Sequence, residues 1–346
     1  MNMKRKRKVW EMTRSRENNP SPSTIYNPLS TNFRRFTQAD VDGLTHLMAV
    51  IEVADEGGSR APDEIRAELE AKAADLARTG WLAHIDTGSI VGYNYVEGVG
   101  GPEEVNFWLR GAVHPDWRRE GLGYELIQRS WADLAKLRAP LSNRPGFVNA
   151  WSYEHDARHC RLLARFGLRP YHIYHELEIP ATQVQPVPPL PATIVIRPWD
   201  DSYCEAAVEL RNRAFAQSWG YQPTTAEALR RRFKTARYEP TLSFTAWRVT
   251  VTSEAMIGLV HACLGWTRQL RQANEGEIVW VAVAQEARGQ GIGRALMLTA
   301  MNALRVGGVE TISVSADSEA DQPAIGLYTR LGFAVRKAIV DYRKEL

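Results

Sequence analysis

Between Arg288 and Arg294 the sequence reads Arg-Gly-Gln-Gly-Ile-Gly-Arg. Residues of these types at this spacing do one kind of chemistry: they hold an anion. Gly289, Gly291 and Gly293 can take backbone angles closed to other residues and let a ligand come up against the main chain. The amides of the loop and of the next helical turn then converge on one point. Such unpaired N–H groups, at the positive end of a helix dipole, favour phosphate. The preceding run, Glu277-Ile278-Val279-Trp280-Val281-Ala282-Val283, reads as a buried strand, and the Ala/Leu/Met-rich run that follows reads as a helix. A ligand carrying a diphosphate is implied. No Gly-x-x-x-x-Gly-Lys-Ser/Thr run follows either glycine cluster of the chain, which sets a P-loop aside. A dinucleotide fold is the closer competitor, because Asp317 ends the next expected strand (Thr311 to Ala316) about where a ribose-binding acid belongs. Its Gly-x-Gly-x-Gly spacing, the charged loop and its late position in the domain count against it.

Arg288, Gly291 and Gly293, as Arg-x-x-Gly-x-Gly after Glu-Ile-Val-Trp-Val-Ala-Val, resemble the coenzyme A pyrophosphate loop of the GNAT superfamily of acyl-CoA-dependent N-acetyltransferases. Downstream, Leu327-Tyr328-Thr329-Arg330-Leu331-Gly332-Phe333 is similar to that superfamily's other hallmark, a helix carrying a tyrosine just before a Leu-Gly-Phe turn. The resemblance covers most of residues 32–346. It implies a gap between two adjacent strands that splay apart beside the loop, entered by acetyl-CoA. In that gap Val281 and Ala282 would pair with the pantetheine arm and the backbone N–H of Val283 would polarise the thioester carbonyl. Arg288, Gly289, Gln290, Gly291, Ile292, Gly293 and Arg294 would lie at the diphosphate. Acetyl transfer to an amine needs a base for the ammonium, donors for the oxyanion and an acid for the thiolate. The resemblance assigns the base to Glu277, commonly acting through water, and the acid to Tyr328. A strand-end carboxylate beside Glu275 and an aromatic packed on a helix face are the plain structural alternatives for these two. Asp321 stands where many relatives carry asparagine, and is a weaker partner than an amide for a phosphate-rich ligand.

The loop occurs twice. Asn106 to Gly123 carries Arg118, Gly121 and Gly123, each 170 positions before Arg288, Gly291 and Gly293, and Val113 precedes Val283 by the same interval. A repeat of a whole domain is the simplest account. Between the copies, residues 180–192 hold Pro180, Pro186, Pro188, Pro189 and Pro191, an extended, semi-rigid connector. The chain divides accordingly into a basic, disordered tail (1–31), an N-terminal domain (32–179), the linker (180–192) and a C-terminal domain (193–346). The first copy opens with a strand at Phe33-Arg34-Arg35-Phe36 and helices over Ala39 to Val50 and Pro62 to Arg78, then strands at Trp81 to Ile85 and Ile90 to Val96. The second runs strand, helix (Tyr203 to Ala216), helix (Ala226 to Phe233), two strands (Leu242 to Val249, Ala255 to Ala262), motif strand, motif helix, strand, helix (Pro323 to Arg330) and a last strand near Val335 to Tyr342. The fold class is α/β: two tandem GNAT-like domains, each a mixed, mostly antiparallel central sheet flanked by helices.

The copies differ in their reacting groups. Phe107 stands 170 positions before Glu277, and aligning Phe166-Gly167-Leu168 with Leu331-Gly332-Phe333 puts Leu163 at Tyr328. The first copy reads as a structural or regulatory half that keeps a phosphate loop, with Val113, Arg118, Arg119, Gly121 and Gly123 at the coenzyme, and lacks the acid and base. This asymmetry is similar to that of the mycothiol synthase type of tandem member, whose C-terminal half is the active one; the likeness is one of architecture and carries no acceptor with it. Trp219 and Tyr221, between the first two helices of the second copy, are candidates to flank the acceptor.

Composition narrows the partners. The first 31 residues hold seven basic and two acidic side chains, a net +5 against +3 for the whole chain, so the remainder is mildly acidic at −2 and a poor match for nucleic acid. No apolar run approaches bilayer length, no signal peptide opens the chain, and its three cysteines are scattered and without metal spacing. The expectation is a cytoplasmic monomer or homodimer that takes acetyl-CoA and a small-molecule amine, with no nucleic acid, membrane or metal. A non-catalytic acyl-CoA sensor is the alternative.

Overall fold

A computed structural model describes residues 31–55, 62–100, 104–216, 218, 223–233, 238–264, 275–317 and 322–346. The tail expected over 1–31 falls, but for Thr31, outside them, as do Trp219, Tyr221 and Asp321. The first copy contributes β1 (Asn32–Arg35), α1 (Val41–Ala54), α2 (Pro62–Ala71), α3 (Ala73–Thr79), β2 (Trp81–His84), β3 (Ile90–Gly100), β4 (Val105–Val113), α4 (Leu122–Arg138), β5 (Gly146–Tyr153), α5 (Ala157–Arg165) and β6 (Arg169–Pro180). The second contributes β7 (Ile194–Pro198), α6 (Cys204–Phe215), α7 (Ala226–Arg232), β8 (Phe244–Val249), β9 (Glu254–Leu264), β10 (Glu275–Val283), α8 (Ile292–Val306), β11 (Thr311–Asp317), α9 (Gln322–Leu331) and β12 (Ala334–Glu345). The single helix expected over 62–78 is broken at Lys72, whose backbone leaves helical geometry and whose ammonium is drawn to Glu97 on β3 as well as to Glu68.

The twelve strands of the described residues form one sheet, in the order β1-β2-β3-β4-β5-β12-β6-β11-β10-β9-β8-β7. The two copies exchange their last strands. β12 of the second copy lies between β5 and β6 of the first, while β6 of the first lies between β12 and β11 of the second. Pairing is antiparallel except at β4·β5 and β10·β11. Alternation along each strand sends one set of side chains to each face. One face carries α4 and α5 in the first copy and α8 in the second, where Val148, Ala150, Leu163, Val340 and Tyr342, or Leu296, Met297, Leu304 and Ile312, are sealed from solvent. Helix α8 presses on the sheet so closely that a β-carbon at Gly276 would lie 2.8 Å from Leu304 Cδ2. The other face carries α1–α3 at one end and α6–α7 at the other.

Candidate functional site

Both parallel pairs part midway. β4 and β5 stay in register from Val105/Gly146 to Trp108/Asn149, and β10 and β11 from Glu275/Thr311 to Ile278/Val314. Beyond those points the strands continue without pairing to each other, and a gap opens beside each glycine loop. The sides of the two gaps differ. β4 pairs with β3 without interruption, whereas β10 carries a bulge at Val279 against β9. The backbone N–H of Ala284 donates to Ile257 O, so by alternation the amide of Ala282 also faces β9, and those of Val281 and Val283 face the gap. This corrects the expectation for Ala282, whose backbone is turned away from any ligand in the gap.

The loops at the gap mouths share one conformation. Gly291 (φ 80°) and Gly121 (φ 80°) each start a helix from the left-handed region, and Gly289 (φ 77°) is matched by Arg119 (φ 80°). A β-carbon at Gly289 or Gly291 would meet open space, so the loop is a cradle above the start of α8. Arg288 Nε donates to Val283 O (3.2 Å) and Arg118 Nε to Val113 O (3.0 Å), one bond that ties each loop to its strand. The guanidinium of Arg118 is also held by both oxygens of Asp55, at 2.7 and 2.9 Å. Gly293 and Gly123 are the second residues of α8 and α4, each against the valine that ends its motif strand. Ile292 is buried, Arg294 Nη2 donates to Gln185 Oε1 (2.8 Å) and Arg248 Nη2 to Gln290 Oε1 (3.2 Å). The first intrahelical bond of this turn runs from Ala295 N to Gly291 O, which leaves the preceding amides oriented toward the cradle.

Glu277 lies just before the second gap. Gly276 and Ile278 face α8 and the core, so Glu277 points to the opposite face, level with Ser313 on β11 and Cys263 on β9, whose Sγ is 3.9 Å from Glu277 Oε2. Past the bulge Trp280 returns to that face. Arg211 of α6 lies 4.8 Å above its ring, and His261 packs between Trp280 and Tyr238 with Ser243 Oγ at 2.9 Å from its Nδ1. The bulge also corrects the match to the first copy. Phe107 packs under α4 with Ile127 and Leu134, whereas the residue on the face of Glu277 is Trp108. Neither is a carboxylate. Tyr328 is buried on α9 (5 % exposed), its ring 6.0 Å from that of Phe333, and Leu163 occupies its place in the first copy. Among the described residues no three His, Cys, Asp or Glu side chains are grouped to hold a metal, and no helix is long and apolar enough to cross a membrane.

A cavity of about 1590 Å³ runs from the first loop (Arg118 to Gly123) through the first gap to the shared strands, where Glu176, Ser313, Ser315, Lys337 and Glu277 line it. At its first-copy end Lys72 bridges Glu68 (2.7 Å) and Glu97 (2.8 Å). Burial opposes the charge on Lys72, but these hydrogen bonds outweigh it and hold the ammonium above the usual lysine range. Burial keeps the His159 imidazole below its usual range. At the centre of the sheet His172, Asp317 and Asp341 are almost sealed, with His172 Nε2 2.8 Å from Asp317 Oδ2, and burial pushes the Asp341 carboxyl up to about 6. Sequence reasoning met Asp317 only as the acid that ends a strand, and passed over Asp341 and Glu176. The period-two run His172, Tyr174, Glu176, Glu178 was the available signal.

Residues 204–333 match the model of the acetyltransferase (GNAT) family. The chain is 29 % identical to a mycothiol acetyltransferase of Thermobispora bispora over 86 % of this chain and 95 % of that one. It is 27 % identical to a mycothiol acetyltransferase of Parafrankia sp., covering 90 % and 97 %. In structure it is similar to a GCN5-related N-acetyltransferase from Sphaerobacter thermophilus (TM-score 0.66, 25 % identity, 91 % and 95 % covered). A tandem GNAT protein from the clavulanic acid biosynthesis pathway has the same fold (TM-score 0.64, 20 % identity, 91 % and 98 % covered).

Proposed function

We infer that this chain, whose second half carries a GNAT-family acetyltransferase domain, moves an acetyl group from acetyl-CoA to the primary amine of a small molecule, by direct attack at the second gap. Its mycothiol acetyltransferase relatives favour an acceptor of that kind. The observation that carries the reading is the asymmetry of one repeated frame. Both copies keep the loop and the gap, but only the second has the bulge, a carboxylate before the gap and a tyrosine on the following helix.

The cradle at Gly289 and Gly291 suits a diphosphate, since its glycines leave the space open and its amides point there. Bound acetyl-CoA supplies an activated acyl group and a thiolate leaving group. The amides of Val281 and Val283 line the gap and stabilise negative charge that develops on the carbonyl oxygen. Glu277, on the acceptor face, takes the proton of the incoming ammonium, directly or through water. Tyr328, on the helix across the gap, returns a proton to the sulfur. The first copy's loop can hold a second coenzyme, but with Trp108 and Leu163 at the reacting positions it turns nothing over.

Calorimetric titration of the full chain with acetyl-CoA, beside amine-dependent release of free thiol, tests this. Saturable binding that Gly291→Val weakens, with thiol release that needs a primary amine, supports the reading. Binding without thiol release would leave the sensor alternative, and no binding would overturn both.

A further inference from the structure

Strand exchange brings a residue of the first copy into the second copy's acceptor face. Glu277 is level with Ser313 across β10·β11, and Ser315 is level with Glu176 across β11·β6. The two glutamates therefore point to the same face, two strand spacings of about 4.8 Å apart across the sheet and offset by two residues along it, with the hydroxyls of Ser313 and Ser315 between them. Both line the inner end of the cavity that runs in from the first loop and the first gap.

Glu176 is held in place from β12. Lys337 Nζ lies 3.4 Å from one of its oxygens and Arg336 Nη1 3.5 Å from the other, and Lys337 is itself buried over the ring of Tyr153 at 4.5 Å. The Glu176 side chain keeps 21 % of its surface open. Burial, with the charge of Glu277 adding to it, pushes its carboxyl above the usual glutamate range against the pull of Lys337 and Arg336. The first copy has a counterpart. Trp151, two residues past the last β4·β5 pair and so alongside the first gap, is level with Asp341 on the exchanged strand β12, and Asp341 is level with His172. Each exchanged strand thus carries a carboxylate, paired with a cationic or basic residue, into the other copy. Beside the first gap, which has no glutamate on β4, that carboxylate is 6 % exposed; beside the second it opens to the cavity that Glu277 lines.

We propose that Glu176, a residue of the first copy, is a specificity-determining residue of the second copy's acceptor site, selecting amines that arrive as cations and holding the ammonium beside Glu277. Glu176 shares its charge with Lys337 and Arg336, but with Glu178 also on Arg336 and Glu277 beside them the wall stays net negative, which favours a cation over a neutral amine of the same size. One carboxylate then serves as base while the other keeps the acceptor in place. The proposal rests on the acetyltransferase reading.

The test compares ethanolamine, an ammonium at pH 7, with aniline, which is neutral there, on the full chain at saturating acetyl-CoA. Glu176→Gln should raise the KM for ethanolamine about tenfold, with kcat and both the aniline and acetyl-CoA KM values within twofold of wild type. Because Glu176→Gln leaves Lys337 buried beside an uncharged partner, the double variant Glu176→Gln/Lys337→Gln is measured beside it and should show the same pattern. An ethanolamine KM that does not move, or KM values for the two amines that move together, would overturn the assignment of Glu176. A wild-type protein that acetylates neither amine would instead overturn the transferase reading beneath it.

Discussion

Replacing Asp341 with asparagine should stabilise the protein at pH 7.5 and leave its stability nearly unchanged at pH 4. Asp341 sits on β12, level with His172 on one side and Trp151 on the other, and is 6 % exposed. Burial raises its carboxyl from 3.8 to about 6, a shift that His172, Arg110 and Arg343 reduce without cancelling. The native state therefore keeps a proton that the unfolded chain has released, and this group's contribution to stability is lost as the pH rises from about 4 through 6. At 1.36 kcal/mol per unit, the shift corresponds to about 3 kcal/mol at most; screening by the two arginines and by water brings the expected gain to roughly 1–2 kcal/mol. Asparagine keeps the shape and removes the charge. Urea unfolding of wild type and variant at both pH values reads the difference. A variant less stable at pH 7.5, or an equal change at both, would refute the reasoning, since either would mean that the carboxylate is stabilised where it stands.

Tyr328→Phe should keep the fold, because the ring stays in its buried place, and lower amine-dependent thiol release by about 10²-fold, in the range of general acid catalysis; an unchanged rate would remove the hydroxyl from the mechanism. Arg119→Gly should raise the urea midpoint by an amount equivalent to about 1 kcal/mol, since Arg119 holds φ 80° where the second copy has Gly289, and a lowered midpoint would show that its side chain is needed for folding.

The sequence revealed what is local. The glycine loops, the repeat at a constant interval and the strand, loop and helix order of each copy follow from glycine spacing and apolar periodicity, and the structure has those elements within a few residues. Partnership between distant strands is another matter. Periodicity makes β6 and β12 strands but carries no information on which copy each completes, so the exchange and the single twelve-stranded sheet were not legible. The bulge at Val279 was hidden for the same reason. It adds one residue to β10 and shifts the face of everything before it, which is why counting 170 positions back from Glu277 lands on Phe107 in the core when the matching face holds Trp108. Glu176 and the cluster of His172, Asp317 and Asp341 gain their meaning only from that pairing.

The measurement that bears most directly on the central claim is steady-state turnover and acetyl-CoA affinity of Glu277→Gln in the full chain. The account predicts a kcat at least 10²-fold lower with the acetyl-CoA dissociation constant within twofold of wild type, because it gives the carboxylate to the acceptor and the coenzyme to the loop and the backbone of β10. Wild-type turnover from that variant would contradict it, and would remove from the second gap the base on which the asymmetry of the two copies rests.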